Sequence, residues 1–300
     1  MRDTTLAVLL AESIDYAGLF PPAGLPMATT VANYARYRAG PDVWALGRLV
    51  VPVARLAELE RAADAVAPEV PDNPWRVSAL VGPSAAEDLE TLGEFNRRHV
   101  ANGAAALTAD VVEAKADSVA TVDQLLDAVP SGAQAYVEIP LSKDPAPLVA
   151  AIARRGARAK ARTGGVTADA FPASSDLLRF LRVCAEAEVP FKVTAGLHHP
   201  LRAEYPLTYS PDSPRGTMFG FLNVFLTAAF LRNGLGDEDA LRLLEERSAT
   251  AFRFGPDAIE WRDHRLDRDA VEGARATGIV AFGSCSFEEP VGEARERGWI

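Results

Sequence analysis

The sequence predicts a (β/α)8 TIM barrel of the α/β class, a single domain over residues 1–300 with extra helices and a hairpin before the last strand. Short apolar, β-branched runs alternate about eight times with longer amphipathic runs, as is typical of parallel βα units. The length of 300 residues suits such a barrel. Neither a GxGxxG nor a GxxxxGK[ST] loop occurs, so a doubly wound open sheet is the second choice.

Each predicted strand is a short apolar run of the kind that parallel sheets bury on both faces. Ser84 with Glu87 three residues later forms a capping box at the start of one helix. The predicted strands are 14–19, 46–51, 76–81, 111–116, 135–139, 157–162, 191–195 and 279–283. The predicted helices are 27–38, 53–66, 84–98, 121–129, 145–155, 174–187, 218–231, 237–248 and one from 291 onward, with a long loop at 198–216 and a hairpin at 252–261.

Composition indicates an acidic enzyme that acts on a small molecule. The net charge of −10 and the pI near 5.0 disfavour nucleic-acid and anionic-membrane partners, although a basic pocket can still bind an anion. The apolar run from Leu6 is too short for a signal peptide, and the segment 218–231 is shorter than the ~20 residues that a bilayer needs. We therefore expect a cytoplasmic protein, and 218–231 is either a buried helix or a subunit interface of a homo-oligomer.

Lysine is scarce, and its positions are informative. The chain has 31 Lys plus Arg, of which four are lysine: Lys115, Lys143, Lys160 and Lys192. Lys differs from Arg in that a desolvated Lys can lose its proton. Lys160 and Lys192 stand on neighbouring predicted strands and alternate onto one face with the residues two away. Either they form a reactive site, or they are buried ion-pair partners of nearby carboxylates.

Other polar residues also cluster at the predicted strand ends, where TIM barrels carry their chemistry. We expect the catalytic groups to come from Lys160, Lys192, Glu113, Glu138 and Lys115. The residues predicted to bind substrate are Asp15, Arg162, Thr163, Gly164, Gly165, Thr194, Gly196, His198, His199, Ser284, Cys285 and Ser286.

These residue types favour Schiff-base chemistry. A lysine nucleophile needs a free amine, so its pKa must fall from about 10.4, and both burial and a neighbouring cation lower it. The amine can then attack a carbonyl and form an electron sink for C–C cleavage or dehydration. We expect Lys160 to be the nucleophile, Lys192 to lower its pKa, and Glu113 or Glu138 to move protons. The threonines at 163 and 194 are expected to bind hydroxyls, and this chemistry needs no cofactor.

Three short motifs carry a resemblance to a known family. Val137-Glu-Ile139, Lys160-x-x-Thr-Gly164 and Lys192-x-x-Ala-Gly196, in this order, resemble the late strands of deoxyribose-phosphate aldolase, a class I aldolase barrel. The resemblance covers residues 135–202 and implies that Lys160 is the Schiff-base lysine and Lys192 the neighbour that lowers its pKa. Arg162 stands where that family has a small residue, and the second glycine of its phosphate-binding turn is replaced here.

A second similarity covers the whole chain but implies no particular activity. Asp15-Tyr-Ala-Gly-Leu-Phe-Pro-Pro22, Gly196-Leu-His-His-Pro200 and Gly283-Ser-Cys-Ser-Phe-Glu-Glu-Pro290 are similar to motifs of a family of bacterial and plant proteins.

Two alternatives to the lyase remain open. His198 or His199 with carboxylates such as Asp15 could hold a divalent metal in a lyase or isomerase, although adjacent strand residues point to opposite faces. The protein could also be a non-catalytic anion-binding barrel. In either barrel the turns after the last two strands, with Ser284 and Ser286, are the expected place for an anion. Cys285 could instead have a purely structural role, as a small buried residue at the rim of the barrel.

Overall fold

A computed structural model describes residues 4–66, 74–101 and 107–300. Its strands are β1 Ile14–Tyr16, β2 Leu46–Pro52, β3 Trp75–Leu80, β4 Leu107–Lys115, β5 Gln134–Glu138, β6 Arg158–Arg162, β7 Phe191–Thr194, β8 Ala203–Pro206, β9 Arg215–Met218, β10 Phe252–Phe254, β11 Ala258–Trp261, β12 His264–Asp267 and β13 Ile279–Ser284. Its helices are α1 Thr5–Leu10, α2 Met27–Arg38, α3 Leu56–Val66, α4 Ala85–Ala101, α5 Val119–Ala128, α6 Ala146–Arg154, α7 Ser174–Glu186, α8 Phe221–Arg232, α9 Asp237–Leu244, α10 Arg268–Thr277 and α11 Glu288–Glu296.

The fold is a closed barrel of eight parallel strands, which confirms the predicted TIM barrel. The strands follow the order β1-β13-β7-β6-β5-β4-β3-β2 around the barrel. Each predicted strand lies within a few residues of an observed one. Apolar residues that alternate outward, such as Val137, Ala159 and Val193, belong to one large buried cluster with the surrounding helices. Among the helices of the described residues, none has the length and hydrophobicity needed to cross a bilayer.

Four additions to the barrel differ from the prediction. Helix α1 precedes the first strand, and β8 with β9 forms an antiparallel hairpin inside the predicted loop 198–216. The predicted hairpin at 252–261 is a three-stranded antiparallel sheet that extends to Asp267, and α10 follows it before the last barrel strand. These strands have three or four residues each, which is too short for a periodic pattern to stand out from the sequence.

Helix α8 is buried along nearly its whole length, which supports the buried-helix interpretation of the apolar segment. The Asn223 side-chain amide on this helix is fully buried and hydrogen-bonds three backbone groups in two neighbouring segments. Its Oδ1 accepts from the Arg202 N–H at 2.8 Å, and its Nδ2 donates to the carbonyls of Leu243 at 2.8 Å and Glu246 at 2.9 Å. The amide therefore joins α8 to the end of α9 and to the segment before β8.

Asn223→Leu should destabilise the fold by at least about 3 kcal/mol, because a side chain of similar size would leave three buried backbone groups without partners. Thr227→Val on the same helix is the control, since the Thr227 hydroxyl is buried without a hydrogen bond, and its loss should be neutral or stabilising. Urea denaturation of the three proteins measures both effects. Equal stability of Asn223→Leu and the wild type would contradict the role given to the amide.

Candidate functional site

A chain of alternating charges crosses the interior of the barrel. Its order is Asp15, Lys192, Glu113, Lys160 and Glu138, on β1, β7, β4, β6 and β5. The Lys192 ammonium lies 2.5 Å from Asp15 and 2.5 Å from Glu113. The Lys160 ammonium lies 2.8 Å from the other Glu113 oxygen and 2.7 Å from Glu138. We call these five residues the ion-pair chain.

The register of the parallel strands explains why these side chains meet. Lys160 is paired with Lys192 between β6 and β7, and Glu138 is paired with Lys160 between β5 and β6. Paired residues of neighbouring parallel strands point to the same face of the sheet, which here is the barrel interior. Strands β4 and β7 are not neighbours, so the contact between Glu113 and Lys192 must cross the interior. TIM barrel interiors are usually filled by branched apolar residues, so this level is exceptional in its charge.

Lys192 is the fixed cation of the chain. It donates hydrogen bonds to Asp15 and Glu113, and its ammonium lies 5.5 Å from the centre of the Tyr136 ring. Burial alone would lower the pKa of Lys192, but Asp15 and Glu113 outweigh burial and raise it above its usual value. Lys192 therefore keeps its proton at neutral pH. The sequence predicted that Lys160 and Lys192 are direct neighbours on one face. They do point to the same face, but the Glu113 carboxylate lies between their ammonium groups.

Glu113 is the fixed anion at the centre. Burial raises its pKa, but Lys160 and Lys192 lower it further, so the pKa lies well below its usual value. The Ser78 hydroxyl also donates to Glu113 at 2.5 Å. Ser78 was not among the predicted site residues, although its position two residues before the end of β3 would have placed it on the inner face.

Lys160 is held less completely than Lys192. Glu138 Oε2, which lies 2.7 Å from the Lys160 ammonium, is buried and accepts no aligned hydrogen bond. Burial raises the pKa of Glu138, but Lys160, Arg162 and Lys115 outweigh burial and lower it. The contact between Lys160 and Glu138 is therefore a close ion pair whose geometry is less favourable than that of the hydrogen bonds that hold Lys192.

A cavity of about 230 Å³ opens above Lys160 at the carboxyl ends of the strands. Its lining includes Lys160 but not Lys192, so only one of the two lysines faces the open space. Apolar walls come from Phe20, Val50 and Leu80. The polar lining residues are Glu113, Lys160, Arg162, Thr194, His198 and Cys285.

The glycine turns after β6 and β7 are filled by side chains. A Cβ atom at Gly164 would lie 2.4 Å from the Phe171 ring, and one at Gly196 would lie 2.7 Å from it. At Gly165 a Cβ would lie 2.8 Å from the Ala170 methyl group. Close packing against Phe171 and Ala170 thus accounts for the three glycines without a bound anion.

The two threonines separate in the structure. The Thr163 hydroxyl is buried and donates to the Ala195 carbonyl at 2.8 Å, which joins the ends of β6 and β7. It therefore supports the turn, and hydroxyl binding by Thr163 is not favoured. Thr194 lines the cavity and is the threonine that a substrate can reach.

The two histidines have different surroundings, as expected for adjacent residues whose side chains point to opposite faces. His198 is buried beside the Ser284 hydroxyl at 3.1 Å and lines the cavity, and burial followed by the nearby His199 lowers its pKa to about 4. His198 is therefore neutral at pH 7. His199 contacts Glu293 and stacks on Tyr205 of β8 with ring centres 3.5 Å apart. His199 thus holds the hairpin against α11.

The turn after β13 is organised by its own hydrogen bonds. Ser284 accepts from the Ser286 N–H at 3.3 Å, and Ser286 accepts from the Glu289 N–H at 3.1 Å at the start of α11. Cys285 faces the cavity, and burial raises the pKa of its thiol. The thiol is therefore protonated at pH 7, which supports the interpretation of Cys285 as a rim residue.

The metal alternative lacks a ligand cluster in the described ranges. Across residues 4–66, 74–101 and 107–300, no group of three or more His, Cys, Asp and Glu side chains is arranged to hold a metal ion. Asp15, Glu113 and Glu138, which that alternative needs, are each within 2.8 Å of a lysine.

No family profile, curated protein or solved structure matches the chain. The resemblance to deoxyribose-phosphate aldolase therefore stays a prediction.

Glu113→Gln should destabilise the fold by about 3–5 kcal/mol at pH 7, because both lysines would lose a buried partner. Its pKa in the folded state lies below the ordinary value of 4.5. The carboxylate therefore stabilises the fold above about pH 4.5, and this stabilisation is lost as the pH falls toward the lowered pKa. The gap in unfolding free energy between wild type and variant should narrow below pH 4.5.

Glu58→Gln is the matched control. Glu58 pairs with Arg55 on the surface of α3, so its loss should change stability little at either pH. Chemical denaturation at pH 7 and pH 4 measures both variants. A gap for Glu113→Gln that stays constant between these pH values would contradict the central role of the carboxylate.

Proposed function

We propose that the protein is a class I aldolase-like lyase in which Lys160 forms a Schiff base with a small carbonyl compound. The observation that carries the proposal is that Lys160 faces a cavity at the barrel mouth while Lys192 is closed off beside it. A lysine with nearby proton acceptors and access to substrate is the requirement of this chemistry. The aldolase resemblance of residues 135–202 agrees with the same assignment.

The negative charge of the two glutamates stabilises both the lysine ammonium before the reaction and the iminium that forms from it. An ammonium and the iminium that replaces it both carry one positive charge. Glu113 and Glu138, 2.8 and 2.7 Å from the Lys160 nitrogen, stabilise either form. Conversion of the ammonium and a carbonyl compound to the iminium releases one water and no net proton, so the buried site never holds an uncompensated charge.

Glu138 is the group that moves protons in this proposal. The Lys160 ammonium passes one proton to the Glu138 oxygen beside it, and the resulting amine attacks the carbonyl carbon. Glu138 then delivers this proton and a second one from the attacking nitrogen to the former carbonyl oxygen, which leaves as water and leaves an iminium with one N–H. Glu113 is less suited to this role because Lys192 and Ser78 already hydrogen-bond to it. The sequence left Glu113 and Glu138 as alternatives. The Glu138 oxygen that lies beside the Lys160 ammonium accepts no other hydrogen bond, which favours Glu138.

The iminium then serves as an electron sink for cleavage of the neighbouring C–C bond or for loss of water. The cavity of about 230 Å³ has room for roughly eight non-hydrogen atoms at about 30 Å³ each. Thr194 and His198 line its wall and are placed to hold substrate hydroxyl groups.

Borohydride treatment with small aldehydes and oxo acids should attach a stable label to Lys160, because reduction traps an iminium. Peptide mass spectrometry locates the labelled residue. Lys160→Arg keeps the charge but cannot form the iminium, so this variant should lose the label. Lys143→Arg, at the exposed lysine outside the site, is the control and should label as the wild type does. A barrel with no label from any carbonyl compound, but with ligand-induced stabilisation, would instead be the anion-binding alternative.

Glu138→Gln should slow adduct formation by a factor on the order of 10²–10⁴, because the amide cannot accept the Lys160 proton. Single-turnover trapping at saturating carbonyl compound measures this rate. Glu60→Gln, at a carboxylate that contacts Arg98 and His99 on α4, is the control and should leave the rate unchanged. A rate for Glu138→Gln within threefold of the wild type would assign the proton transfer elsewhere.

A further inference from the structure

The edge of the barrel mouth next to Lys160 carries an excess of positive charge. The Arg162 guanidinium and the Lys115 ammonium both approach Glu138, at 3.3 and 3.9 Å. Their side chains are 48% and 72% exposed, while that of Lys160 is 3% exposed. Three cations therefore share one carboxylate, and the two outer cations can reach a solute at the mouth.

These two residues lie where the open spaces of the mouth meet. Arg162 lines the cavity above Lys160 and also two adjoining clefts of about 590 Å³ each. Lys115 lines both clefts. One cleft also has Asp117 and Asp169 in its wall, whereas Glu138 is the single acidic residue that lines the other. A solute that extends from Lys160 into this second cleft meets Arg162 and Lys115.

The charge count of the site predicts a monoanion. The ion-pair chain has three carboxylates and two lysines, and Arg162 with Lys115 brings the cations to four. One positive charge is left over, which a single carboxylate neutralises. The guanidinium also offers parallel N–H groups that suit a carboxylate, and the contact with Glu138 engages its Nε.

The usual anion-binding positions of a TIM barrel are blocked here by packed side chains or opposed by acidic residues. The glycine turns after β6 and β7 pack against Phe171. The first turn of α11 carries Glu288 and Glu289, which oppose an anion at that helix end. The expected anion site after the last two strands is thus disfavoured, and the positive edge at Arg162 and Lys115 takes its place.

We propose that Arg162 and Lys115 bind the carboxylate of a small oxo acid, whose carbonyl carbon lies next to that carboxylate and reaches Lys160. One oxygen of Glu138 contacts Lys160 and the other contacts Arg162, so the two cations lie about one carboxyl group apart. This spacing matches an oxo acid whose carbonyl and carboxylate are bonded directly. The carbonyl half rests on the proposed function, whereas the carboxylate half can be tested without it.

Acetate, pyruvate and inorganic phosphate titrated against the whole protein in a calorimeter test the carboxylate half. Acetate and pyruvate should bind the wild type, with affinities lowered about tenfold or more in Arg162→Gln and by a smaller factor in Lys115→Gln, as expected for a charged hydrogen bond. Arg242→Gln and Lys143→Gln, at exposed residues away from the mouth, are the controls. Phosphate that binds tighter than acetate would overturn the carboxylate assignment.

Borohydride trapping with pyruvate and acetaldehyde tests the connection to Lys160. The wild type should be half-saturated by pyruvate at a concentration at least about tenfold lower than by acetaldehyde, and Arg162→Gln should lose this preference. Equal trapping of both compounds, unaffected by Arg162→Gln, would refute the subsite and leave the Schiff base standing. Acetate binding that depends on Arg162, without any trapping, would refute the Schiff base and leave the subsite standing. Should Arg162→Gln fail to fold, Lys115→Gln and the acetate and phosphate titrations of the wild type still decide.

Discussion

The structure depends on one buried carboxylate that is shared by two buried lysines. Either lysine alone in the barrel interior would cost several kcal/mol, and so would Glu113 alone. The alternating order places every charge next to at least one opposite charge, so desolvation is offset at every position. The same order makes the groups interdependent, because the removal of Glu113 leaves two cations side by side. A barrel level that is usually apolar is thus stable only as a complete set.

The chain of charges is asymmetric, because one of its lysines is enclosed and the other borders open space. At one end Lys192 is enclosed by Asp15, Glu113 and the Tyr136 ring. At the other end Lys160 borders an open cavity, and its contact with Glu138 is not an aligned hydrogen bond. Since Lys192 is a permanent cation, it holds Glu113 ionised. The enclosed half therefore acts as a rigid support that fixes the electrostatics of the exposed half.

The additions outside the barrel shape the mouth of the same cavity. Hairpin β8–β9 is held to α11 by the stacking of Tyr205 on His199 and by the contact of His199 with Glu293. At the tip of this hairpin Tyr209 donates to Glu289 at 2.9 Å. Phe171 covers the neighbouring glycine turns. The hairpin and α11 thus border the cavity near His198 and Cys285, whereas the clefts that Arg162 lines leave room for a ligand to extend from Lys160.

Local patterns in the chain were sufficient for the architecture and for the identity of the unusual residues. Short apolar, β-branched runs located the eight barrel strands, and the scarcity of lysine singled out Lys160 and Lys192. The short strands of the hairpin and of the three-stranded sheet escaped detection, because three or four residues carry too little periodicity. Parity along a strand also assigned the inward faces correctly.

Partner choice across the barrel was decided by the tertiary structure alone. The contact of Glu113 with Lys192 joins residues 79 positions apart on strands that are not neighbours. Alternation shows which face a side chain takes, but closure of the barrel determines which residue lies opposite. For that reason the chain alone indicated two lysines on one face, whereas the fold determined that a carboxylate separates them, that Phe171 fills the glycine turns, and that only Lys160 meets open space.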